Sequence, residues 1–254
     1  MSKFTLTTLP ICAVLFCIGT WMVNAGDLTP PSGPITPTGR FGPRIDVSTL
    51  AGDGDSLHVI NQQGSYYLSE NIVGAPGFHG IKIVGQGVVL DLNGYSLFGG
   101  TDSLNGVEIN ASAVTVKNGK LLNWGGAGVN DLGSANKLLD LTATNNGVYG
   151  YQSTVGLGIM VHRCQAHSNG DVMPGAGFAL SDSAHVTDCS ATANNGAGFS
   201  IGDGSLIANC AASQNGTVGL IVGNTGLVRG NASRNNVAGN YVEGSGTVDI
   251  DNSF

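Results

Sequence analysis

The sequence predicts an all-β solenoid, a fold in which short strands wind into stacked turns around one continuous core. The first observation is an internal repeat of about 22 residues, whose successive copies begin at Val161, Val186, Ile207 and Val228. The second is the composition, because glycine supplies 41 of the 254 residues while charged residues make up only 11%. A repeat of this length, built from β-type fragments separated by Gly and Asn, is typical of stacked rungs.

The repeat predicts three short strands in every turn. The first strand begins at a glycine, followed in all but the last copy by an apolar residue; these are Gly80, Gly106, Gly128, Gly150, Gly177, Gly198, Gly219 and Gly239. A second strand column runs from residues 88–92 to residues 248–250, and a third carries the Cys-x-Ala segments. The spacing exceeds the period of about 18 expected for a hexapeptide left-handed helix, and no leucine-rich pattern is present. A right-handed parallel β-helix of about 7–8 rungs remains.

The chain divides into four predicted segments. Residues 1–25 have the positive start, apolar stretch and small-residue end of a signal peptide, with cleavage expected after Ala25. Residues 26–48 hold five of the eight prolines and are predicted to be an extended linker. Residues 49–79 contain two strand-like runs that we assign to an N-terminal cap, and residues 80–254 form the β-helix.

Charge and location limit the possible partners. Removal of the signal peptide takes away one cation, which leaves 9 Lys and Arg against 17 Asp and Glu, a net charge of about −8. Nucleic-acid binding needs clustered cations, so it is not expected. The apolar stretch from Leu9 to Val23 is shorter than the roughly 20 residues of a membrane span. We therefore expect a secreted, periplasmic or cell-surface protein with no membrane span after cleavage.

Two columns of recurring residues are predicted to support the core. An asparagine column comprises Asn146, Asn169, Asn194, Asn215 and Asn235, where Asn would tolerate the left-handed backbone of a tight corner and bond to the next Asn. A cysteine column comprises Cys164, Cys189 and Cys210, with Leu141 below and Gly230 above. Three cysteines can form at most one disulfide, and parallel stacking disfavours even that, so buried free thiols without zinc are predicted.

Three segments carry a resemblance to a known family. The runs Gly64-Ser-Tyr-Tyr-Leu68, Gly80-Ile-x-Ile83 and Val89-Leu-Asp-Leu-Asn-Gly94 resemble secreted right-handed β-helix proteins of the pectate-lyase-like superfamily. The resemblance covers about residues 60–250 and implies a polysaccharide partner. It does not imply a reaction, because that superfamily contains lyases, hydrolases, epimerases and proteins without activity. The catalytic motifs of polygalacturonases and mannuronan epimerases are absent from the sequence.

One column could carry chemistry. The residues before the cysteine column are Asp140, Arg163, Asp188, Asn209 and Arg229. Stacking would place Arg163 between the two aspartates and next to His162. One interpretation is an outward ion-pair ladder that stabilises the sheet. The other is a polysaccharide lyase or epimerase site, in which a cation neutralises a uronate and Arg or His removes a proton.

Two function hypotheses follow. The first is a carbohydrate-binding or structural surface module without a recognisable catalytic set, which could use a strip of small polar residues beside the Ala column. The second is a lyase or epimerase that uses the catalytic candidates Arg163, His162, Asp140 and Asp188.

No cofactor is expected. Asp53-Gly-Asp55 and Asp249-Ile-Asp251 could hold a cation, but two carboxylates do not make the six-to-eight-oxygen shell of calcium. His58, His79 and His185 are isolated in the sequence and are interpreted as loop residues.

The sequence ends within a rung at Phe254, so the last strands need a cover. We expect either self-association through this C-terminal end or a folded-back tail.

Overall fold

The computed structural model describes residues 43–172 and 175–254. The predicted signal peptide and residues 26–42 of the predicted linker lie outside this range. The described residues belong to one compact unit. No helix in the described part of the chain is long and apolar enough to cross a membrane.

The described residues form 25 strands and one short 3-10 helix, Val47–Thr49. In chain order the strands are β1 (Ile45–Asp46), β2 (Ser56–Ile60), β3 (Gly64–Tyr67), β4 (Ile72–Val73), β5 (His79–Ile83), β6 (Val88–Asp91), β7 (Ser96–Phe98), β8 (Val107–Ile109), β9 (Thr115–Leu122), β10 (Val129–Asp131), β11 (Lys137–Thr144), β12 (Tyr151–Ser153), β13 (Met160–His162), β14 (Gln165–His167), β15 (Phe178–Leu180), β16 (His185–Thr187), β17 (Ser190–Thr192), β18 (Phe199–Ile201), β19 (Leu206–Ala208), β20 (Ala211–Ser213), β21 (Val218–Val222), β22 (Leu227–Arg229), β23 (Ala232–Arg234), β24 (Gly239–Glu243) and β25 (Val248–Ile250).

These strands form two parallel sheets that run the length of a solenoid of about nine turns. Sheet B contains nine strands in the order β2-β5-β8-β10-β12-β15-β18-β21-β24. Sheet A contains sixteen strands and supplies the other two strand columns of the turn. The predicted all-β class and the three strands per turn are confirmed, and the predicted rung count of 7–8 is too low.

The low rung count has its origin in the predicted cap. Strands β2 and β3 pair in parallel with β5 and β6, in the same way as later turns pair with each other. They therefore form a rung of the solenoid. Before them, β1 pairs with β3, and Val47 in the 3-10 helix is fully buried against the core.

The core is filled by residues that point inward from both sheets. On sheet B the aromatic rings of Tyr151, Phe178 and Phe199 stack on one another, with centroid separations of 4.8 and 4.7 Å. This spacing matches the distance between neighbouring strands, so the register of the sheet fixes the ring contacts. Sheet A contributes buried Val, Leu and Ala side chains.

Two columns of residues with positive φ make the sharp corners. The first separates the two strand columns of sheet A and comprises Asn118, Asp140, Arg163, Asp188, Asn209, Gly230 and Asp251. The second ends sheet A and comprises Asn123, Asn145, Ser168, Ala193, Gln214 and Asn235. A left-handed corner turns the chain within one residue and favours Gly, Asn and Asp. The predicted ion-pair column therefore lies at a corner, and Gly230, not Arg229, occupies its position in that turn.

The asparagine ladder lies one residue after the second corner. Asn194 accepts hydrogen bonds from the backbone N–H (3.1 Å) and the side-chain amide (2.9 Å) of Asn169. The same pair of bonds joins Asn146 to Asn169, Asn194 to Asn215 and Asn215 to Asn236. The ladder is thus confirmed for four of the five predicted residues. Its fifth member is Asn236, because Asn235 occupies the positive-φ corner.

The cysteine column is a second ladder of the same kind. The Sγ atoms of Cys189 and Cys210 accept the backbone N–H of Cys164 and Cys189, respectively, each at 3.4 Å. The next residue in the column is Asn231, not the predicted Gly230, and its Oδ1 accepts the N–H of Cys210 at 2.8 Å. The three thiols are free and buried, as predicted. The three cysteines therefore occupy the same column position that Asn231 occupies in the turn after Cys210.

The last turn is only partly covered. The ring of Phe254 stacks on Tyr241 with a centroid separation of 4.3 Å, and Ser253 pairs with Ala232. Val242 and Val248 in the same turn are about half exposed.

Candidate functional site

The structure brings the four catalytic candidates together on the outside of sheet A. Arg163 makes a bidentate ion pair with Asp140, with Nε–Oδ1 and Nη2–Oδ2 distances of 2.6 and 2.8 Å. Arg163 lies between Asp140 and Asp188 in the corner column, as predicted, but its ion pair is with Asp140. The guanidinium faces Asp140 with both of these donors, and the imidazole of His162 contacts Asp188 instead, at 3.3 Å.

His162 links the two halves of this cluster. Arg163 Nη1 donates to His162 Nε2 at 2.7 Å, and a guanidinium can only donate. The imidazole proton is therefore on Nδ1, which lies 2.8 Å from the Thr187 hydroxyl oxygen. The result is a chain of contacts from Asp140 through Arg163 and His162 to Asp188.

The electrostatics of this cluster are those of a surface ion pair. The hydrogen bonds that Arg163 donates to Asp140 lower the pKa of the Asp140 carboxyl and raise the pKa of Arg163. Their side chains are 57% and 43% exposed, so water screens the pair and its contribution to stability is small. The groups that would bind or deprotonate a uronate are engaged with each other.

A second polar cluster lies on the outer face of sheet B, in the first turns. Lys82 bonds to Asp53 at 3.0 Å and to Asp55 at 2.5 Å. These bonds raise the pKa of Lys82, and the Lys82 ammonium lowers the pKa of Asp55. The Asp-x-Asp segment that the sequence offered as a cation site is thus occupied by a lysine. Asp249 of the other Asp-x-Asp segment accepts from the Tyr241 hydroxyl at 2.8 Å.

Next to Lys82 lies the buried carboxylate of Glu108. Its Oε2 accepts from the side-chain amides of Asn105 at 2.8 Å and Asn130 at 2.9 Å. His79 lies 3.9 Å away, and its Nδ1 accepts the backbone N–H of Asn105 at 3.1 Å. Burial lowers the pKa of His79, so the ring is neutral near pH 7 with its proton on Nε2.

The histidines that the sequence analysis assigned to loops all lie in strands. His58 is in β2, where Nδ1 contacts the Leu50 carbonyl oxygen at 3.0 Å, and His185 is in β16. His79 begins β5 and belongs to the sheet B cluster.

The loops that lead from sheet A to sheet B enclose a cavity of about 590 Å³, which we call the loop cavity. Its polar lining includes His79, Asp102, Asn105, Asn123, Asn145 and Asp171. The backbone of Gly125, Gly126 and Gly147 forms part of the wall. The lining residues include no Lys or Arg.

Two shallower hollows of about 280 and 290 Å³ cross sheet B in later turns. They share Ala179 and Ser200, so together they form one trough across the sheet. The half-buried Tyr149 lies at one end, and Asp182 lies at the other. Ala179 and Ser200 face outward from β15 and β18 and pair with each other across the sheet. Their small side chains leave this part of the face open.

The outward residues of sheet B share no residue type, so their column was not predicted from the sequence. The column contains one residue from each of six successive strands: Lys82, Glu108, Asn130, Gln152, Ala179 and Ser200. The position of these residues within the repeat could have identified the column. Each of these residues follows a predicted strand-start glycine by two positions, and the column changes along the chain from charged to small residues.

Within the described residues there is no group of three or more His, Cys, Asp or Glu side chains that could hold a metal ion.

Three solved structures are similar to this chain. The crystal structure of the pectate lyase Pel9A matches with 16% identity and a TM-score of 0.50, over 78% of this chain and 54% of that chain. The Dettilon tailspike protein (gp208) matches with 15% identity and a TM-score of 0.43, over 76% and 39%. The A-module of the Azotobacter vinelandii mannuronan C-5 epimerase AlgE4 matches with 13% identity and a TM-score of 0.36, over 83% of both chains.

The likeness to the pectate lyase structure shows the fold and not an activity, because the identity is low. This chain spans about half the length of the pectate lyase chain. No curated protein matches it. The family model described as the right handed beta helix region matches residues 55–205 and 105–254. The chain therefore belongs to the right-handed β-helix family.

Proposed function

We propose that this protein is a glycan-binding module without a catalytic set of its own, and that it binds a polysaccharide along the outer side of sheet B. The observation that carries the proposal is the trough across that sheet. Its floor is formed by Ala179 and Ser200, where larger residues would fill the space.

The chemistry of the trough suits a sugar. Sugar rings combine apolar C–H faces with hydroxyl groups, so they are bound by aromatic rings together with small polar side chains. Tyr149 supplies a half-buried ring at one end of the trough. Ser200 and Ser181 supply hydroxyl groups on the floor and at the far side. A trough that crosses neighbouring turns can accept a chain of sugars in place of a single one.

A steric substitution tests the site. Ser200→Trp should fill the trough and lower affinity for the glycans found on an array by at least about tenfold, a loss of about 1.4 kcal/mol. The matched variant is Ser213→Trp, which places the same ring on the outer face of sheet A, in the polar strip beside the Ala column. Loss of binding in Ser213→Trp but not in Ser200→Trp would move the site to sheet A and contradict the proposal.

The lyase or epimerase hypothesis remains as a second candidate, because Arg163 and His162 are in contact and both reach solvent. We expect no unsaturated product from alginate, pectate or glycosaminoglycans, since these two groups are bonded to each other and to carboxylates. Activity that appears with the natural chain and disappears in Arg163→Ala would contradict the non-catalytic proposal.

We propose that the protein works outside the cytoplasm. The support is the signal-like segment of residues 1–25. Cell fractionation with N-terminal sequencing should recover a chain that starts at Gly26. Recovery of the uncleaved chain from the cytoplasm would contradict this location.

Self-association through the C-terminal end is likewise a proposal. The partly exposed last turn, with Val242 and Val248, supports it. A monomer at high concentration in analytical sedimentation would contradict it.

A further inference from the structure

The loop cavity differs from the trough in its charge. Two of its polar lining residues, Asp102 and Asp171, are exposed carboxylates. The other polar groups are carboxamides, hydroxyls and one imidazole, and the lining includes no ammonium or guanidinium group. The cavity therefore presents a negative potential to any molecule that enters it.

The inner end of the cavity adds directional groups. The backbone N–H of Asn105 donates a hydrogen bond to His79 Nδ1. Because the ring is neutral, its proton is on Nε2, and this N–H can donate to a ligand. The side chain of Asn105 is held on both sides, because its amide donates to Glu108 and its Oδ1 accepts the backbone N–H of Ala127 at 2.7 Å. A fixed lining costs little conformational entropy when a ligand binds.

One cation on the adjoining face of sheet B is already paired, because the Lys82 ammonium is bonded to both Asp53 and Asp55. A uronate carboxylate in the cavity would face Asp102 and Asp171, and no Lys or Arg among the described lining residues would offset the repulsion. In a ligand with an ammonium group and several hydroxyls, the ammonium group could pair with the carboxylates of the cavity, and the hydroxyls could bond to its carboxamides and imidazole.

We propose that the loop cavity is a second glycan subsite, separate from the trough, and that it binds a sugar unit that carries a free amine and not a uronate. This inference rests on the proposed glycan-binding function and names its ligand class. In this arrangement, Asp102 and Asp171 attract the ammonium group. His79 Nε2–H and the amides at the rim bond to hydroxyl oxygens.

The test compares three tetrasaccharides of equal length by titration calorimetry: the glucosamine tetramer, its fully N-acetylated form and tetragalacturonate. The glucosamine tetramer should bind at least about tenfold more tightly than the galacturonate at 0.05 M salt. Its affinity should fall several-fold at 0.5 M salt, since exposed charges are screened. The N-acetylated form should show little salt dependence.

Two charge-neutralising variants locate the site. Asp102→Asn and Asp171→Asn should each lower affinity for the glucosamine tetramer by about three- to tenfold and leave affinity for the N-acetylated form unchanged. The control is Asp251→Asn, which makes the same charge change at an exposed corner of sheet A near the other end of the solenoid.

The possible outcomes separate this inference from the proposed function. Tighter binding of tetragalacturonate, or equal effects of Asp251→Asn and Asp171→Asn, would overturn the amino-sugar assignment while leaving glycan binding intact. If no glycan binds to the natural chain, both proposals are overturned.

Discussion

Asn194 shows how much a single side chain contributes to a corner of this solenoid. Its amide donates to Asn215 and to the Ala166 carbonyl oxygen, and its Oδ1 accepts two bonds from the neighbouring Asn169. All these groups are buried, so none of them can turn to water instead.

Asn194→Ala should lower the free energy of unfolding by about 3 kcal/mol, because it leaves buried donors and acceptors of the neighbouring turns without partners. Urea denaturation would measure the change. The matched control is Asn195→Ala, which removes one exposed amide that bonds to the Gly170 carbonyl oxygen and should cost about 1 kcal/mol or less. Equal losses would mean that the ladder adds nothing beyond one ordinary bond.

The cysteine column makes a related prediction. Cys210 lies between Cys189 and Asn231 and makes the ladder contacts with a longer, weaker sulfur acceptor. Cys210→Asn should match or exceed the stability of the natural chain, since an amide can bond to the neighbouring backbone and to Asn231. Cys210→Ala should lose about 1–2 kcal/mol, because the Cys189 N–H loses its acceptor. Thermal unfolding of the two variants decides this, and an Asn variant less stable than the Ala variant would contradict the ladder interpretation.

Asp131 is a buried carboxyl that points into the core from sheet B. Its Oδ1 accepts from Asn136 at 2.6 Å and from the Gly133 N–H at 2.9 Å, while Oδ2 has no partner among the described residues. Burial raises the pKa of this carboxyl above its usual value. Between the unfolded pKa, about 3.9, and the raised folded value, the folded chain binds more protons than the unfolded one.

The contribution of Asp131 to stability should therefore be fully present at pH values below about 4 and should be lost as the pH rises through the folded pKa. Asp131→Asn removes this titration. The difference in unfolding free energy between the variant and the natural chain should shift in favour of the variant from pH 4 to pH 7, measured by urea denaturation. A difference that stays constant with pH would show that the carboxyl does not titrate differently on folding.

At the scale of the element, the corner residues decide where a strand ends. Ala193 has a φ of 55° and lies between the strand β17 and the ladder residue Asn194. An L-residue with a Cβ is strained in that region, whereas glycine is not. Asn, Ser or Gln occupies each of the other positions in this corner column, and Ala193 is the member without a polar side chain to compensate.

Ala193→Gly should raise the free energy of unfolding by about 0.5 kcal/mol, the relief of strain less the entropy cost of glycine. The control is Ala191→Gly, two residues earlier in the strand, where Ala is buried and extended and the same change should destabilise the protein. Thermal denaturation of the two variants would show whether each substitution raises or lowers the stability. Destabilisation by both substitutions would contradict the corner strain.

The elements also show which inferences the sequence could support. Recurring residue types identified the Asn and Cys columns, and the same spacing placed Arg163 next to Asp140 in the neighbouring turn. The one-residue errors, Asn235 for Asn236 and Arg229 for Gly230, arise because the number of residues per turn varies, and only hydrogen-bond register fixes the alignment.

The loop cavity could not be found in the same way. His79, Asn105 and Asp171 lie in different turns and share no pattern. They come near one another only because parallel register stacks one turn on the next. Irregular loops at the side of a regular scaffold are where function commonly lies, and their conformation is set by contacts that a repeat does not encode.

At the scale of the whole molecule, each turn contacts mainly the turns next to it, so stability should be close to a sum of rung and neighbour terms. Ser190 pairs with Ala211 and Asn194 bonds to Asn215, which makes the turn between them 21 residues long. Removal of a whole turn should then preserve every column, while removal of one residue fewer should not, because side-chain direction alternates along a strand.

Deletion of residues 190–210 should therefore give a folded β-helix with one turn fewer. Asn215 would stack directly on Asn169, and Asn231 would replace the deleted Cys210 as the residue that follows Cys189 in the cysteine column. Circular dichroism should retain the β signal with a cooperative but lower thermal midpoint, since one neighbour interface and its buried area are lost. Deletion of residues 190–209 is the matched control. It shifts the following strand by one position and turns apolar side chains outward, so this chain should aggregate or remain unfolded. Equal stability of the two deletions would mean that register between turns does not hold the solenoid together.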